Sequence, residues 1–303
     1  MTDRPVVIAG LDRTGKTRMR RTLEGTTDIA FFRRAELWTH HLGRYGDLRN
    51  DGSATRAVRA LANDPGAERL ILDPARLLAD FLPGPRTYGR LFGLVGRQFA
   101  EIAGATRWGD QTALAERHAA EVFDALPEAR FVHMVRDPRD RFASAVASHG
   151  VGLGGIGAAC DAWHESAALA LTNSSRFSGR YLIVRFEDLV CDPMTTLTRT
   201  LDFIGSARRA SGKPVNSPDQ CGQVGLYARA LSPRAIAFIQ ESLRGTMRRF
   251  DYEPAPTALN AVERLRLSLV DRPVARMTTA ARRYRRPRDW RMVESLGRDL
   301  RTR

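Results

Sequence analysis

Residues 10–17 decide the fold, and they read Gly10-Leu11-Asp12-Arg13-Thr14-Gly15-Lys16-Thr17. The apolar run before them, residues 5–9, favours a strand, and the residues after them favour a helix that ends near Gly25. Backbone N–H groups in such a loop bind anions, and the helix dipole strengthens the binding. The string satisfies GxxxxGK[ST], which predicts a phosphate-binding loop. The plainer alternative is an ordinary tight turn between a strand and a helix.

Composition restricts the class of ligand. The 303 residues carry a net charge of +14, and 43% of them are hydrophobic, enough for a large core. Only two of the 48 basic residues are lysine, Lys16 and Lys213, as expected from a GC-rich, bacterial genome. The arginines are spread along the chain, which argues against nucleic-acid binding, whereas an anionic nucleotide, an acidic substrate or an anionic membrane surface all fit the basic charge. A lysine at position 16 indicates that a compact ammonium is needed there.

The cysteines and the N-terminus predict the cellular compartment. Cys160, Cys191 and Cys221 are widely spaced, so we expect neither a disulfide nor a zinc site, and a reducing cytosol fits. The first residues lack the apolar segment of a signal peptide, and no run of about 18 apolar residues exists. The sequence therefore predicts a cytoplasmic protein that requires no metal.

The remaining segments alternate between strands and helices. Further strands are predicted at residues 69–72, 131–135 and 181–186. Helices are predicted at residues 53–62, 86–104, 113–126, 158–173, 193–204 and 233–250, and a glycine-rich loop at 150–157. This alternation predicts an α/β fold of three layers, a P-loop-type sandwich with a mainly parallel central sheet and helices on both faces.

A second anion site is predicted after the strand at residues 131–135. That strand delivers Arg136 to the carboxyl edge of the sheet, and Asp137-Pro138 then starts a helix, with Asp137 as its cap. Ser144 lies two turns into that helix, so Arg136 and Ser144 can converge on one phosphate monoester. Alternatively, Arg136 forms a surface ion pair and Ser144 is an ordinary helix residue.

Five motifs together resemble a known family. They are residues 10–17, Arg136-Asp-Pro-Arg-Asp with Ser144, Trp108-Gly-Asp-Gln-Thr, Val184-Arg-Phe-Glu-Asp-Leu with Asp192-Pro193, and Leu231-Ser-Pro with Asp251-Tyr-Glu. Their order and spacing are similar to those of the sulfotransferases that use 3′-phosphoadenosine 5′-phosphosulfate (PAPS), above all the bacterial and tyrosylprotein-type members. The resemblance covers about residues 5–254.

The resemblance implies an activity and a set of binding residues. By analogy, Arg13, Thr14, Gly15, Lys16 and Thr17 hold the 5′-phosphosulfate, and Arg136 and Ser144 hold the 3′-phosphate. The segment 225–229 closes over the nucleotide. The implied reaction is an in-line transfer of the sulfuryl group from PAPS to a hydroxyl or amine. The implied acceptor is a small molecule, a carbohydrate or a lipid.

The chain departs from the family pattern at four positions. Asp12 replaces a proline, Lys16 a threonine, Gln111 a lysine that helps to stabilise the transferred group, and Phe186 a tyrosine. We expect Lys16 to supply the positive charge that Gln111 lacks, which makes Lys16 a candidate catalytic residue.

The acceptor must lose a proton, so a general base is expected. Glu36 is the first candidate, because it follows the apolar run 29–32 much as an acidic residue does in tyrosylprotein-type relatives. His40 and His41 are rivals, since histidine titrates near neutral pH. Each of the three could instead be a structural or solvated side chain.

Two other functions are compatible with the phosphate-binding pattern, and the composition changes after residue 254. An ATP-dependent kinase or NTPase would use residues 70–73 as its magnesium-binding strand, and a catalytically weak relative would only bind nucleotide. We expect one α/β domain over residues 1–254 and an arginine-rich helical extension over 255–303. Arginines 282–291, interleaved with Tyr284 and Trp290, are compatible with peripheral contact with anionic lipid or with a solvated helix.

Overall fold

The computed structural model describes residues 4–33, 36–63, 72–149, 155–207, 218–275 and 277. Its centre is a five-stranded sheet in the order β2-β3-β1-β4-β5. The strands are β1 (Val6–Ala9), β2 (Ile29–Arg33), β3 (Arg107–Gln111), β4 (Arg130–Val135) and β5 (Tyr181–Arg185). All neighbouring strands pair in parallel, with β1 in the middle. The predicted α/β fold with a parallel central sheet is confirmed.

Helices connect the strands. They are α1 (Lys16–Thr26), α2 (Asp51–Ala62), α3 (Pro74–Phe81), α4 (Tyr88–Ile102), α5 (Ala119–Ala125), α6 (Pro138–His149), α7 (Ile156–Arg176), α8 (Phe186–Cys191), α9 (Pro193–Ile204), α10 (Tyr227–Ala230), α11 (Pro233–Arg248) and α12 (Ala261–Arg266). Two π-helical turns, Leu37–His41 and Leu267–Asp271, and two 3-10 helices, Ala115–His118 and Pro218–Gln223, complete the described elements.

The alternation of side chains along each strand produces the layers. In β1, Val6 and Ile8 pack with Met19 of α1 and with α8 and α9 on one face of the sheet. Val7 and Ala9 point to the other face and pack with α2–α5. Both faces are thus covered by helices, which explains why the central strand β1 is wholly apolar.

A third apolar cluster joins the last described helices to the sheet. It combines residues of α6, α7 and α11, including Trp163 and Leu243, with Leu267 from the π-helical turn beyond α12. Residues 255–275 therefore pack against the α/β body at least in part. Residues 278–303, with the predicted membrane contact, lie outside the described residues. No helix within the described residues is long and apolar enough to cross a bilayer.

Several elements differ from the sequence prediction. Strands β2 and β3 were not predicted. The sequence analysis identified only an apolar run at residues 29–32 and a family motif at residues 108–112. The single helix predicted over 113–126 is broken: Leu114 has a left-handed φ of 65°, and a 3-10 helix precedes α5. Of the predicted strand 69–72, residues 69–71 lie outside the described residues, as do residues 150–154 of the glycine-rich loop.

The expectation of no disulfide is wrong. Cys191, at the end of α8, is bonded to Cys221 in the 3-10 helix Pro218–Gln223. The two cysteines are 30 residues apart, and only the tertiary fold brings their Cα atoms within 4.7 Å. Cys160 is free and buried. The bond removes one argument for a reducing compartment, so the cytoplasmic location stays a prediction.

Candidate active site

The carboxyl ends of all five strands open into one cleft of about 1330 Å³. Each strand contributes lining residues just beyond its end: Lys16 after β1, Glu36 after β2, Gln111 at the end of β3, Arg136 after β4 and Phe186 after β5. This edge is where open parallel sheets bind ligands, because loops and helix N-termini converge there.

The loop after β1 has the backbone of an anion cradle. Gly10, Arg13 and Gly15 have φ values of 113°, 71° and 97°, in the left-handed region. Two of these positions require glycine: a Cβ atom would lie 2.4 Å from the carbonyl oxygen of Met134 at Gly10, and 2.5 Å from the Phe186 ring at Gly15. The loop then enters α1, whose N-terminus faces the cleft.

Lys16 is buried beneath this loop and lines the cleft. Its ammonium donates to the carbonyl oxygen of Gly10 at 2.5 Å and lies 3.4 Å from the carboxylate of Asp12. Burial lowers the pKa of Lys16, whereas the charges of Asp12 and Glu116 oppose that shift. The two residues that depart from the family pattern at positions 12 and 16 thus pair with each other.

Gln111 lies beside the loop and is held from two sides. Its Oε1 accepts from Nε of Arg20 at 2.9 Å, and its Nε2 donates to the hydroxyl of Thr17 at 3.3 Å. Arg20 is buried and also pairs with Glu24. The buried guanidinium of Arg20 therefore contacts Gln111, at the position where the family pattern has lysine.

Arg136 and Ser144 lie in the same cleft, joined through Arg13. Arg13 donates from Nε to the Ser144 hydroxyl at 3.0 Å, and Arg136 donates from Nη1 to the Arg13 carbonyl at 3.3 Å. Asp137 caps α6 by accepting from the N–H of Arg139 at 2.8 Å, as its position before Pro138 predicts. The sequence signal did not reveal that Arg13 connects the two predicted anion sites.

The segment around 223–230 forms one wall of the cleft. Gln223, Leu226 and Ala230 line it, and the Gln223 carbonyl accepts from Nη2 of Arg136 at 3.1 Å. The N–H groups of Gly225 and Tyr227 donate to Asp140 of α6 at 2.7 and 2.8 Å. The disulfide at Cys221 anchors the start of this wall to α8.

The three candidate bases occupy different environments. Glu36 is exposed, lines the cleft and has a left-handed φ of 45°, which is unusual for a residue with a side chain. His40 is exposed and contacts Arg44, and His41 is buried and bonds to the Tyr45 hydroxyl at 2.6 Å. Of these three residues, the described lining of the cleft includes Glu36 alone.

Asp110 of β3 lies fully buried next to this region. Its Oδ1 accepts from the Thr112 hydroxyl at 2.8 Å, whereas its Oδ2 has no hydrogen-bond partner among the described residues. The pKa of Asp110 is raised to about 7, mainly by burial; the bond from Thr112 opposes the rise, and the nearby charge of Glu36 adds to it.

Glu116 was not predicted as a site residue. Its Oε2 accepts from the N–H of Gly10 at 3.0 Å, and its Oε1 accepts from the Ser166 hydroxyl at 2.5 Å. Burial acts to raise the pKa of Glu116, but the charges of His133 and Lys16 and the bond from Ser166 outweigh it, so the pKa is lowered. A buried carboxylate therefore supports the first residue of the loop.

The chain is similar to several known sulfotransferases. Carbohydrate sulfotransferase 2 of mouse and of human is 42% identical over 53 residues, which are 18% of this chain and only 10% of those proteins. The sulfotransferase domain of the Synechococcus PCC 7002 olefin synthase is 20% identical, with a TM-score of 0.44, covering 87% of this chain and 94% of that domain. A sulfotransferase from Alicyclobacillus acidocaldarius is 15% identical, with a TM-score of 0.47, covering 87% of this chain and all of the other.

The family assignment rests on a match between the sequence and a family model. A model described as "Sulfotransferase family" matches residues 5–209, well over half of the chain. This range contains the loop after β1 and the Arg136–Ser144 pair. The chain belongs to the sulfotransferase family.

Proposed function

We propose that this protein transfers the sulfuryl group of PAPS to a hydroxyl or amine of an acceptor. One observation carries the choice of donor: two cationic sites, the loop 10–17 and the Arg136–Ser144 pair, line one cleft and are joined through Arg13. A donor that carries both a 5′-phosphosulfate and a 3′-phosphate uses both sites.

The residues of the cleft fit such a donor. The N–H groups of the loop and the α1 N-terminus suit the 5′-phosphosulfate, with Thr14, Lys16 and Thr17 in the same loop. Nε of Arg136 is buried without a hydrogen-bond partner among the described residues, so an incoming phosphate would satisfy it. Burial lowers the pKa of Arg136, a cost that an anion would offset.

The chemistry assigned to the chain is positioning, charge stabilisation and proton removal. The acceptor oxygen or nitrogen attacks sulfur, the bond from sulfur to the bridging 5′-phosphate oxygen breaks, and that oxygen leaves with the electron pair. Glu36 takes the acceptor's proton, since it is the candidate base that lines the cleft. Lys16, with Arg20 behind Gln111, supplies positive charge near the transferred group.

The position of Asp73 disfavours the kinase alternative. In that interpretation, residues 70–73 would deliver Asp73 to a magnesium ion beside the loop. The Asp73 carboxylate instead caps α3, accepting from the N–H groups of Ala75 and Arg76 at 2.9 and 3.1 Å. Asp73 is absent from the described lining of the cleft.

The acceptor is proposed by class: a small molecule, a carbohydrate or a lipid. The partial likeness to a carbohydrate sulfotransferase favours a carbohydrate among these. Both Glu36 and Thr17 are exposed, so an acceptor can approach from solvent. A cytoplasmic location and metal independence belong to the same proposal.

Calorimetry on the purified protein tests the choice of donor. We expect adenosine 3′,5′-bisphosphate to bind without magnesium and ATP to bind much more weakly with or without it. Transfer of ³⁵S-labelled sulfate from PAPS to a panel of sugars, lipids and phenols then tests the reaction. Tight, magnesium-dependent ATP binding would overturn the proposal, and bisphosphate binding without any transfer would favour the weak binding relative.

A further inference from the structure

Two arginines converge on the ring of Phe186, at the start of α8. The guanidinium carbon of Arg136 lies 4.2 Å from the ring centroid, and that of Arg18, in the first turn of α1, lies 5.7 Å from it. All three residues line the cleft. Phe186 therefore contacts both guanidinium groups through its ring.

Both arginines have hydrogen-bonding capacity that the described chain leaves unused. Nη1 of Arg18 and Nε of Arg136 are buried and have no hydrogen-bond partner among the described residues. Nη1 and Nη2 of Arg136 donate to the carbonyl oxygens of Arg13 and Gln223, so its position is fixed. Buried N–H groups without partners are rare in folded proteins, and a bound ion or a functional role is one explanation for them.

The electrostatics also favour an anion beside these side chains. Burial lowers the pKa of Arg18, and the positive charge of Arg136 lowers it further. The two guanidinium groups thus repel each other in a partly buried place, although the charges of Asp140 and Glu187 act to raise the pKa of Arg136. A phosphate monoester carries up to two negative charges and three acceptor oxygens, so it can bind both groups at once.

We infer that Arg18 is a second phosphate ligand beside Arg136, and that the two guanidinium groups hold one phosphate of the donor nucleotide. The inference rests on the proposed function, under which this group is the 3′-phosphate. It connects the 3′-phosphate site to α1, so the helix that cradles the 5′-phosphosulfate at its N-terminus also binds the other end of the donor. The first family motif ends at Thr17, and Arg18 belongs to none of the other motifs, so the resemblance did not indicate Arg18.

The test measures dissociation constants for adenosine 3′,5′-bisphosphate and for adenosine 5′-monophosphate, which lacks the 3′-phosphate. In Arg18→Gln we expect the bisphosphate to bind roughly 10- to 100-fold more weakly, and the monophosphate to change less than about twofold. Arg18→Lys retains the charge without the planar fork, so we expect an intermediate loss. Arg59→Gln, an exposed arginine on α2, is the matched control and should bind like the wild type.

Comparing the two ligands distinguishes a failure of the proposed function from a failure of the Arg18 assignment. If the wild type shows no preference for the bisphosphate, the proposed function and this inference both fail. If the wild type prefers the bisphosphate and Arg18→Gln retains that preference, only the assignment of Arg18 is wrong. An equal loss for both ligands would mean that Arg18 contacts the adenosine or the 5′-phosphate, which also overturns the inference. Thermal unfolding of each variant verifies that the fold is intact.

Discussion

The carboxylate of Glu116 accepts a hydrogen bond of 3.0 Å from the backbone N–H of Gly10, a residue 106 positions earlier in the chain. This bond connects the loop after β1 to the 3-10 helix after β3. It continues through Ser166 to His133 and Tyr181, all buried. Burial lowers the pKa of His133, whereas the charge of Glu116 opposes that shift.

Glu116→Gln should disturb the loop without touching the ligand. The two donors, the Gly10 N–H and the Ser166 hydroxyl, bond to different carboxylate oxygens, and the amide has only one oxygen. One of the two donors therefore loses its acceptor. We expect a loss of about 1–3 kcal/mol in the free energy of unfolding, measured with urea, and weaker binding of adenosine 3′,5′-bisphosphate.

Ser166→Ala is the matched control for Glu116→Gln. It removes the other end of the same bond and leaves the Gly10 contact in place. We expect it to destabilise the protein while preserving the affinity for the bisphosphate. If Glu116→Gln binds the bisphosphate as tightly as Ser166→Ala and the wild type do, Glu116 stabilises the fold without positioning the loop.

Glu36→Gln tests the proposed base. Its exposed side chain makes folding effects small, and the amide cannot take a proton from the acceptor. We expect kcat for ³⁵S transfer to fall about 10²- to 10⁴-fold, with bisphosphate affinity unchanged. His40→Gln, four residues along and also exposed, should retain activity within a few-fold. The opposite ranking of these two variants would assign the base to His40.

The local parts of the site could be predicted from the sequence, whereas the contacts between them could not. Residues 10–17 and Asp137-Pro138 determine their own backbone, so the loop, the cap and the following helices lie where the patterns predict. Glu116 lies in the polar run Ala115-Glu-Arg-His, which was predicted only as part of the helix over residues 113–126. It points inward because Gly10 and Ser166 supply donors from distant segments.

Two strands escaped prediction for a related reason. Strand β3 contains Arg107, Gly109 and Asp110, which are unusual in a buried strand. Gly109 is required by packing, since a Cβ there would lie 2.3 Å from the Phe31 ring of β2. Such requirements appear only when the neighbouring strand is in place.

Lys16→Ala tests the role of the buried ammonium. The change removes the bonds to Gly10 and Asp12 and the positive charge beneath the loop. We expect the affinity for adenosine 3′,5′-bisphosphate to fall at least 10-fold by calorimetry. Lys16→Thr, which restores the usual family residue, should recover part of that loss. Unchanged affinity in Lys16→Ala would refute the assignment of the loop.

Reduction of the Cys191–Cys221 disulfide should loosen the wall of the cleft. Dithiothreitol converts the bond to two thiols and is itself oxidised, and both cysteines are exposed to it. Opening a 30-residue loop removes roughly 3–4 kcal/mol of stabilisation by the chain-entropy account. We expect a lower melting temperature and weaker bisphosphate binding, since Gln223 holds Arg136 two residues beyond Cys221. Cys191→Ser should show both changes without reductant and no response to it, whereas a wild type that ignores the reductant would contradict this prediction.

Asp110 predicts a specific dependence of stability on pH. Its pKa of about 7 in the folded protein lies above the unfolded value of 3.8, so the folded state binds more protons between these values. Its contribution to stability is therefore most favourable below about pH 4 and is lost as the pH rises to 7. The shift corresponds to roughly 4 kcal/mol at most.

Asp110→Asn keeps an acceptor for Thr112 and does not titrate, so the free energy of unfolding should rise at pH 8 relative to the wild type. Urea unfolding of both proteins at pH 5 and pH 8 measures the effect. Because other groups titrate equally in the two proteins, the difference between their pH slopes isolates Asp110. Parallel slopes would show that Asp110 does not change its protonation in this range.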